Sequence, residues 1–299
     1  MTHDLERFLQ PEEIAKISRL ELRARRVVEG YVSGLHRSPY FGQSVEFVQH
    51  REYAPGDDTR RIDWKVWSRT DRYYLKQYEE DTNVRVVLLV DGSESMQFGS
   101  TAMTKFEYAR TVAAALSMLI LKQNDSVGIG LFDSDIRTII PSSSRRNHLQ
   151  TILQGLSVEV GQGQTNMQSV LRRTAEVLSQ RSIVILISDL FCDRDALFKG
   201  LQLLRQRKHE VLIVHTMDNQ ELNFEYSGTL RFVGLEDGGK LTCDPASLRT
   251  GYMAALEKFK ETIRRRCAGS MIDYRLTETT ENLDAVLSHL LNFRSGTRR

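Results

Sequence analysis

The 299-residue chain is long enough for one large domain or two smaller ones, and its 40% hydrophobic and 27% charged residues are ordinary for a globular protein. Its 41 basic and 39 acidic residues leave a net charge of +2, so no global field indicates binding to nucleic acid or to a membrane surface. Three widely spaced cysteines exclude a disulfide framework and a cysteine-rich zinc site.

The cellular location is predicted from the absence of a signal-peptide pattern and of a long apolar run in the sequence. The first residues are polar and acidic, unlike a signal peptide, and no apolar run reaches the ~18 residues typical of a membrane span. Arginine clusters at 23–26 and 264–266 are interpreted as solvated helix faces. We therefore expect a soluble, cytoplasmic protein without a membrane span and without a nucleic-acid partner.

Two segments precede the regular part of the chain. Residues 4–31 are predicted to form a helix, because apolar residues recur at helical spacing along one stripe that should dock onto a larger body. Residues 44–80 contain both tryptophans and a dense mixture of charges. Asp57, Asp58 and Asp63 could serve acid–base or metal chemistry, but we favour ion pairs with nearby arginines.

From residue 84 onward, short apolar runs alternate with helical patterns. Strands are predicted at 84–90, 126–132, 136–140, 182–190, 211–216 and 271–276, a hairpin at 230–243, and helices at 105–122, 147–156, 166–178, 195–207, 248–267 and 283–293. This alternation predicts an α/β fold with a doubly wound, mainly parallel sheet and helices on both faces. The expected division is an N-terminal helix with its extension at 1–80 and a main domain at 81–299.

The first strand of this region ends in a polar motif. Asp91, Ser93 and Ser95 directly follow the apolar run and offer one carboxylate and two hydroxyls. Hard oxygen ligands without nitrogen or sulfur suit a cation such as Mg²⁺. The alternative is a serine-rich turn whose hydroxyls cap the next backbone amides.

Two further polar features should reach the same edge of the sheet. Thr165 lies in a glycine-flexed loop at 161–166 that opens a helix, and Asp189 ends the strand after that helix. Right-handed crossovers place the carboxyl ends of parallel strands on one edge. The sequence therefore predicts a site for Mg²⁺, with Mn²⁺ or Ca²⁺ as alternatives, whose ligands are Asp91, Ser93, Ser95, Thr165 and Asp189.

The three features together resemble a known site. In their order and spacing, DGSES, the GQT loop and the SD strand end are similar to the metal-ion-dependent adhesion site of von Willebrand factor type A domains. All five liganding positions match, and the resemblance covers roughly residues 84–293. It implies a type A, Rossmann-like fold and a metal with one coordination position open to a carboxylate of a protein partner.

A second resemblance includes the preceding segment. EFVQHREYAPGDDTRRIDWKVWSRTDRYYLKQYEE before such a domain, with RFVGLEDGGKLTCDP and MIDYRLTETTENLDAVLSHLL after it, resembles a bacterial family catalogued as domain of unknown function 58. Members are often encoded beside MoxR-type AAA+ ATPases and are thought to assist maturation or assembly of other proteins. Many carry two N-terminal membrane spans, a feature that this sequence does not show.

These observations favour a binding module over an enzyme. We expect a metal-dependent protein-binding adaptor that works with a MoxR-type AAA+ ATPase and binds an acidic residue of its partner. The alternative is a metal-dependent hydrolase that uses the same carboxylates and hydroxyls. The sequence contains no Gly-x-Ser-x-Gly elbow, no phosphate-binding loop and no evident general base beside the motif, so no catalytic residue is predicted.

Overall fold

The computed structural model describes residues 11–35, 49–53, 64–70, 72–77, 84–145, 147–160, 166–228, 230–233, 239–283 and 285–289. The chain divides into two compact units, one of residues 33–83 and one of residues 1–32 together with 84–299. Most of the N-terminal helix therefore groups with the large unit. Within the described ranges, no helix combines the length and the apolar character that crossing a membrane would require.

The large unit contains most of the regular structure. Its helices are α1 (Pro11–Leu35), α3 (Lys105–Lys122), α4 (His148–Leu156), α5 (Met167–Val177), α6 (Arg194–Gln206), α7 (Asn219–Asn223) and α8 (Pro245–Gly269). Its strands are β3 (Arg85–Asp91), β4 (Ser126–Phe132), β5 (Ile136–Ser143), β6 (Ile183–Ser188), β7 (Glu210–Met217), β8 (Leu230–Val233), β9 (Lys240–Cys243) and β10 (Asp273–Glu278). In the small unit, α2 (Trp64–Thr70) lies between the strands β1 (Gln49–Glu52) and β2 (Tyr74–Gln77).

Six strands form the central sheet in the order β10-β7-β6-β3-β4-β5. All neighbours are parallel except β4 and β5, which are antiparallel. The register pairs Val90 with Ile187, so Asp91 of β3 is level with Ser188 of β6. The predicted mixed α/β class and mainly parallel sheet are confirmed, and this register brings the ends of two separate strands side by side.

The central strands are buried on both faces. Val87 and Leu89 of β3 join a core cluster with apolar residues of β6, β7, α5, α6 and α8. The alternate residues Val86, Leu88 and Val90 are buried as well. Continuous apolar runs of this kind are typical of parallel strands that are covered on each side.

Helix α3 is buried around most of its circumference. It runs along the sheet from the end at which β3 terminates. The Thr104 side chain caps its first turn by accepting a hydrogen bond from the Glu107 amide. Asn124 ends the turn after the helix with a left-handed backbone (φ 58°). The first helical residue, Lys105, is completely buried, which is unusual for a lysine.

Helix α1 presents one apolar stripe, as predicted. Leu20, Ala24, Val28 and Tyr31 are buried along it, while most intervening side chains remain exposed or half-buried. Predicted helical positions 4–10 lie outside the described residues. The stripe therefore contacts a larger body over about three turns of the helix.

The small unit pairs β1 with β2 in an antiparallel ladder. Its rings pack on one another: Trp67 stacks on Tyr73 with ring centroids 6.0 Å apart, and Trp64 meets Trp67 edge to face. Trp64 nevertheless keeps 58% of its surface exposed. The expected ion pairs of Asp57, Asp58 and Asp63 lie outside the described residues and stay a prediction.

Candidate metal site

Asp91 lies at the carboxyl end of β3 with 2% of its surface exposed. Its Oδ1 accepts a hydrogen bond from the Ser93 amide at 2.9 Å, and its Oδ2 accepts one from the Ser188 hydroxyl at 2.6 Å. The second bond follows from the register, which sets β3 and β6 level. The carboxylate is therefore held by hydrogen bonds from residues at the carboxyl ends of both strands, β3 and β6.

Ser93 and Ser95 continue the chain into a single 3₁₀ turn at Glu94–Gln97. Their Oγ atoms lie 3.1 Å apart, and the Ser93 side chain makes no capping bond to the turn. The serine-capping alternative therefore does not describe Ser93. Octahedral Mg²⁺ with ligands at ~2.0–2.1 Å needs neighbouring ligand oxygens about 2.9 Å apart. The two hydroxyls already have nearly this spacing.

Asp189 follows β6 directly, because the strand ends at Ser188 rather than at the predicted residue 190. Leu190 has a left-handed backbone (φ 58°), a strained conformation for this residue type. Two hydrogen bonds stabilise this turn: the Leu190 amide donates to Ser188 Oγ at 2.9 Å, and the Phe191 amide donates to Asp189 Oδ1 at 3.2 Å. This turn fixes the Asp189 carboxylate, whose charge acts on Asp91.

Lys105 enters the site from the first turn of α3. Its Nζ lies 2.7 Å from Asp189 Oδ2 and 2.6 Å from Glu221 Oε1, and all of the lysine is buried. The Phe191 ring centroid lies 4.9 Å from the same nitrogen. Glu221 in turn accepts the Asp218 amide at 3.0 Å, which links the lysine to the capping box of α7.

The charges of the site are unevenly compensated. Burial and the neighbouring charge of Asp189 raise the pKa of Asp91 to about 7, although the hydrogen bonds from Ser188 and Ser93 oppose the shift. Burial alone would lower the pKa of Lys105, but the two carboxylates outweigh it and the net shift is upward. Burial also raises the pKa of Glu221, against the effect of Lys105. In the described part of the chain, ionised Asp91 has no cationic partner.

The donor set can be compared with the needs of a divalent cation. Asp91, Ser93, Ser95 and Asp189 contribute only hard oxygen atoms, and Asp91 carries a buried charge that a cation would neutralise. These residues fit Mg²⁺ and could hold it. Among the described residues no three His, Cys, Asp or Glu side chains form a metal cage, so this set depends on its hydroxyls. Thr165 lies outside the described residues, and its role stays a prediction.

His215 lies near the cluster on β7 but has a structural environment. Its Nδ1 is 2.7 Å from the Tyr274 hydroxyl, and its ring meets Phe259 edge to face. Burial lowers the pKa of His215 to about 4, although Asp189 opposes the shift. The imidazole is therefore neutral at neutral pH and packs as a core residue.

The sequence did not point to Ser188, Lys105 or Glu221 as parts of the site. One signal for Lys105 was present: a lysine in the first helical turn opposes the helix dipole and calls for a nearby negative group. Glu221 carried no such signal, because its link to Lys105 spans 116 positions.

Comparison with known sequences identifies relatives over most of the chain. The profile of the family described as "Protein of unknown function DUF58" matches residues 49–282. An uncharacterized Mycobacterium tuberculosis protein, Rv1480, is 27% identical over 265 residues, which cover 87% of this chain and 82% of that protein. YeaD of Bacillus subtilis, also uncharacterized, is 27% identical over 108 residues, or 36% of this chain and 25% of that protein.

Two solved structures resemble the chain at low sequence identity. The conserved hypothetical protein BatB from Bacteroides thetaiotaomicron is 14% identical with a TM-score of 0.48, over 71% of this chain and 99% of that chain. The minor pilin PilB from Streptococcus sanguinis is 11% identical with a TM-score of 0.43, over 73% of this chain and 63% of that chain.

Proposed function

This chain belongs to the DUF58 family, and we propose that it works as a metal-dependent protein-binding module. The observation that carries the proposal is Asp91, a buried carboxylate at the sheet edge without a cationic partner among the described residues and with the Ser93 and Ser95 hydroxyls beside it. Burying an uncompensated charge is costly, so a bound cation would remove an existing penalty.

The proposed fold is a type A, doubly wound domain, and the proposed ligands are Asp91, Ser93, Ser95, Thr165 and Asp189. When bound, Mg²⁺ would supply an electrophilic centre that accepts a further carboxylate oxygen. The chain's own residues orient this centre: β3 and β6 hold the two carboxylates, and the 3₁₀ turn holds the hydroxyls. Two neutral hydroxyls leave more positive charge on a cation than two carboxylates would.

The proposed partner is a protein that offers an acidic side chain to the metal. A MoxR-type AAA+ ATPase is proposed as part of the partner system, with the module acting as an adaptor in protein maturation or assembly. This part rests on the family resemblance of residues 35–293, whereas the preference for a carboxylate rests on the chemistry of the site.

The first experiment measures metal binding directly. Isothermal titration calorimetry of the purified chain with Mg²⁺ should show one site, and Ser93→Ala with Ser95→Ala should abolish it because two ligand oxygens are lost. The double variant should stay folded and unfold in urea within about 2 kcal/mol of wild type, since it loses the contact between the two hydroxyls and the bond from the buried Ser93 side chain to Asp91 but no core packing. Ser142→Ala with Ser143→Ala on β5 is a matched control that should retain Mg²⁺ binding.

The second experiment separates the module from the hydrolase. Proteins that co-purify with the chain in Mg²⁺ should be released by EDTA, and they should not bind the serine double variant. Binding that survives both treatments would exclude the metal route. Turnover of phosphate or carboxylate esters that is lost in Asp91→Ala would instead support the hydrolase.

A further inference from the structure

We propose that Lys105 and Glu221 act as positioning residues that set the charge of the metal site and tune its affinity for a cation in opposite directions. The inference rests on the proposed function, since it concerns the same site. Neither residue is among the predicted ligands. Both act through their own charge on the ion and through Asp189, which the lysine contacts directly.

The geometry makes Lys105 part of the site rather than of the surface. Its ammonium bridges Asp189 Oδ2 and Glu221 Oε1 at 2.7 and 2.6 Å, with none of its side chain exposed. A protonated lysine in this place neutralises part of the charge of Asp189 before any ion arrives. Glu221, whose side chain is 15% exposed, draws the ammonium away from Asp189 by competing for the same nitrogen.

The effect on a cation follows from Coulomb's law. Adding or removing a unit charge within several ångströms of a divalent ion in a buried site changes the dissociation constant of that ion by more than tenfold, even at an effective dielectric constant of about 20. Lys105 repels the ion and shares Asp189 with it, so the lysine weakens binding. Glu221 attracts the ion and occupies the lysine, so the glutamate strengthens binding.

This arrangement gives the site a moderate affinity that its surroundings determine. Glu221 is held by the Asp218 amide, and its own carbonyl accepts the Tyr252 hydroxyl of α8 at 2.8 Å. Asp218 also accepts the Ser100 amide at 3.0 Å, in the segment between the Asp91 motif and α3. The position of Glu221 is therefore fixed by three elements, which keeps the lysine divided between two carboxylates.

The test measures Mg²⁺ and Mn²⁺ dissociation constants of the full chain by isothermal titration calorimetry. Lys105→Met should tighten binding by about tenfold or more, and Glu221→Gln should weaken it by about tenfold or more. The double variant, which restores the net charge, should return to within about threefold of wild type. The double variant leaves fewer unpaired charges than Lys105→Met alone. If that single variant does not fold, the double variant is compared with Glu221→Gln, and the additional loss of the lysine should tighten binding by about tenfold.

The matched control is Lys122→Met, the same change at the far end of α3, about 25 Å from Lys105 for a helix of 18 residues. Its dissociation constants should equal those of wild type. Single variants that shift binding in the same direction, or by less than about twofold, would overturn the inference while leaving the proposed function intact. A wild-type chain that binds neither ion would overturn both, and so would one whose binding survives loss of the two serines.

Discussion

Two buried carboxylates follow neighbouring strands at the same edge of the sheet and differ in their partners. Asp133 follows β4, and both of its oxygens accept the Arg137 Nε group, at 2.7 and 2.9 Å. Asp91 ends β3 and accepts hydrogen bonds from the Ser93 amide, the Ser93 side chain and the Ser188 hydroxyl, none of which is cationic. Among the described residues, Asp133 thus has a cationic partner and Asp91 has none. The uncompensated carboxylate belongs to the predicted motif, which distinguishes a candidate binding site from a structural ion pair.

We predict that Asp91→Asn stabilises the metal-free protein at pH 8. Folding raises the pKa of Asp91 from 3.8 to about 7. The folded protein therefore binds a proton at the Asp91 carboxyl group more tightly than the unfolded chain does. Stability is therefore lost as the pH rises from about 4 to about 7, and the full cost is present at pH 8. Urea unfolding in EDTA should show a gain of about 2 to 4 kcal/mol for the variant at pH 8, which shrinks at pH 5.

The comparison is Asp133→Asn, which removes one partner of the Arg137 pair. This change should lower the free energy of unfolding at pH 8, because the buried carboxylate there is compensated. Added Mg²⁺ should raise the unfolding midpoint of wild type and leave that of Asp91→Asn unchanged. An Asp91→Asn protein that is less stable than wild type in EDTA at pH 8 would contradict the account.

At the scale of elements, the turn after β3 depends on close approach to another segment. A Cβ atom at Gly92 would lie 2.2 Å from Val160 Cγ2 and 3.3 Å from Phe106 Cε2, and contacts as short as the first do not occur. Glycine therefore allows the Asp91 motif to pack against residue 160, the last described residue before 161–165. Its absent side chain matters here more than its conformational freedom.

We predict that Gly92→Ala destabilises the protein by about 1 to 3 kcal/mol through overpacking. In the Val160→Ala background the Cγ2 atom that the new Cβ would contact most closely is absent, so the same change should destabilise the protein clearly less. A double-mutant cycle by urea unfolding should give a coupling energy of about 1 kcal/mol or more. Gly251→Ala on α8 has no atom within 4 Å of the new Cβ and should stabilise the helix slightly. Additive effects of Gly92 and Val160 would count against the packing account.

At the scale of the whole molecule, the two compact units differ in how their strands are supported. The large unit places β3 between two parallel neighbours with both faces buried. The small unit contains the two-stranded ladder of β1 and β2 and a set of stacked rings. Two-stranded ladders are marginally stable, whereas strands in the centre of a covered sheet open only with global unfolding.

We predict that amide hydrogen exchange separates the units. Amides of β3 and β6 should exchange only through global unfolding, and those of β1 and β2 should exchange faster by several orders of magnitude. Mass spectrometry of peptides that cover 49–52, 74–77 and 85–91 would measure the difference. The edge strand β5, which has one strand neighbour in the large unit, should exchange at an intermediate rate. Equal protection of β1 and β3 would mean that the ladder is supported by contacts beyond its own ring stack.

Local patterns in the sequence determined most of the element boundaries in the large unit. The predicted helix at 105–122 and strand at 126–132 coincide with α3 and β4, because a capping threonine and the Asn124–Asp125 turn bound continuous apolar runs. The short helices α2 and α7 were not predicted, since five to seven residues carry too little periodicity to be recognised. Three site residues, Asp91, Ser93 and Ser95, were likewise visible as one local motif.

Only the tertiary structure decided how the site is charged. The Asp91 bond to Ser188 spans 97 positions, and the Lys105 contacts with Asp189 and Glu221 span 84 and 116. Such pairs arise because strand order and register bring distant segments to one edge of the sheet, and no local period encodes them. A lysine at the start of a helix is ordinarily solvated. It becomes a buried counter-ion here because α3 begins between the end of β6 and the cap of α7.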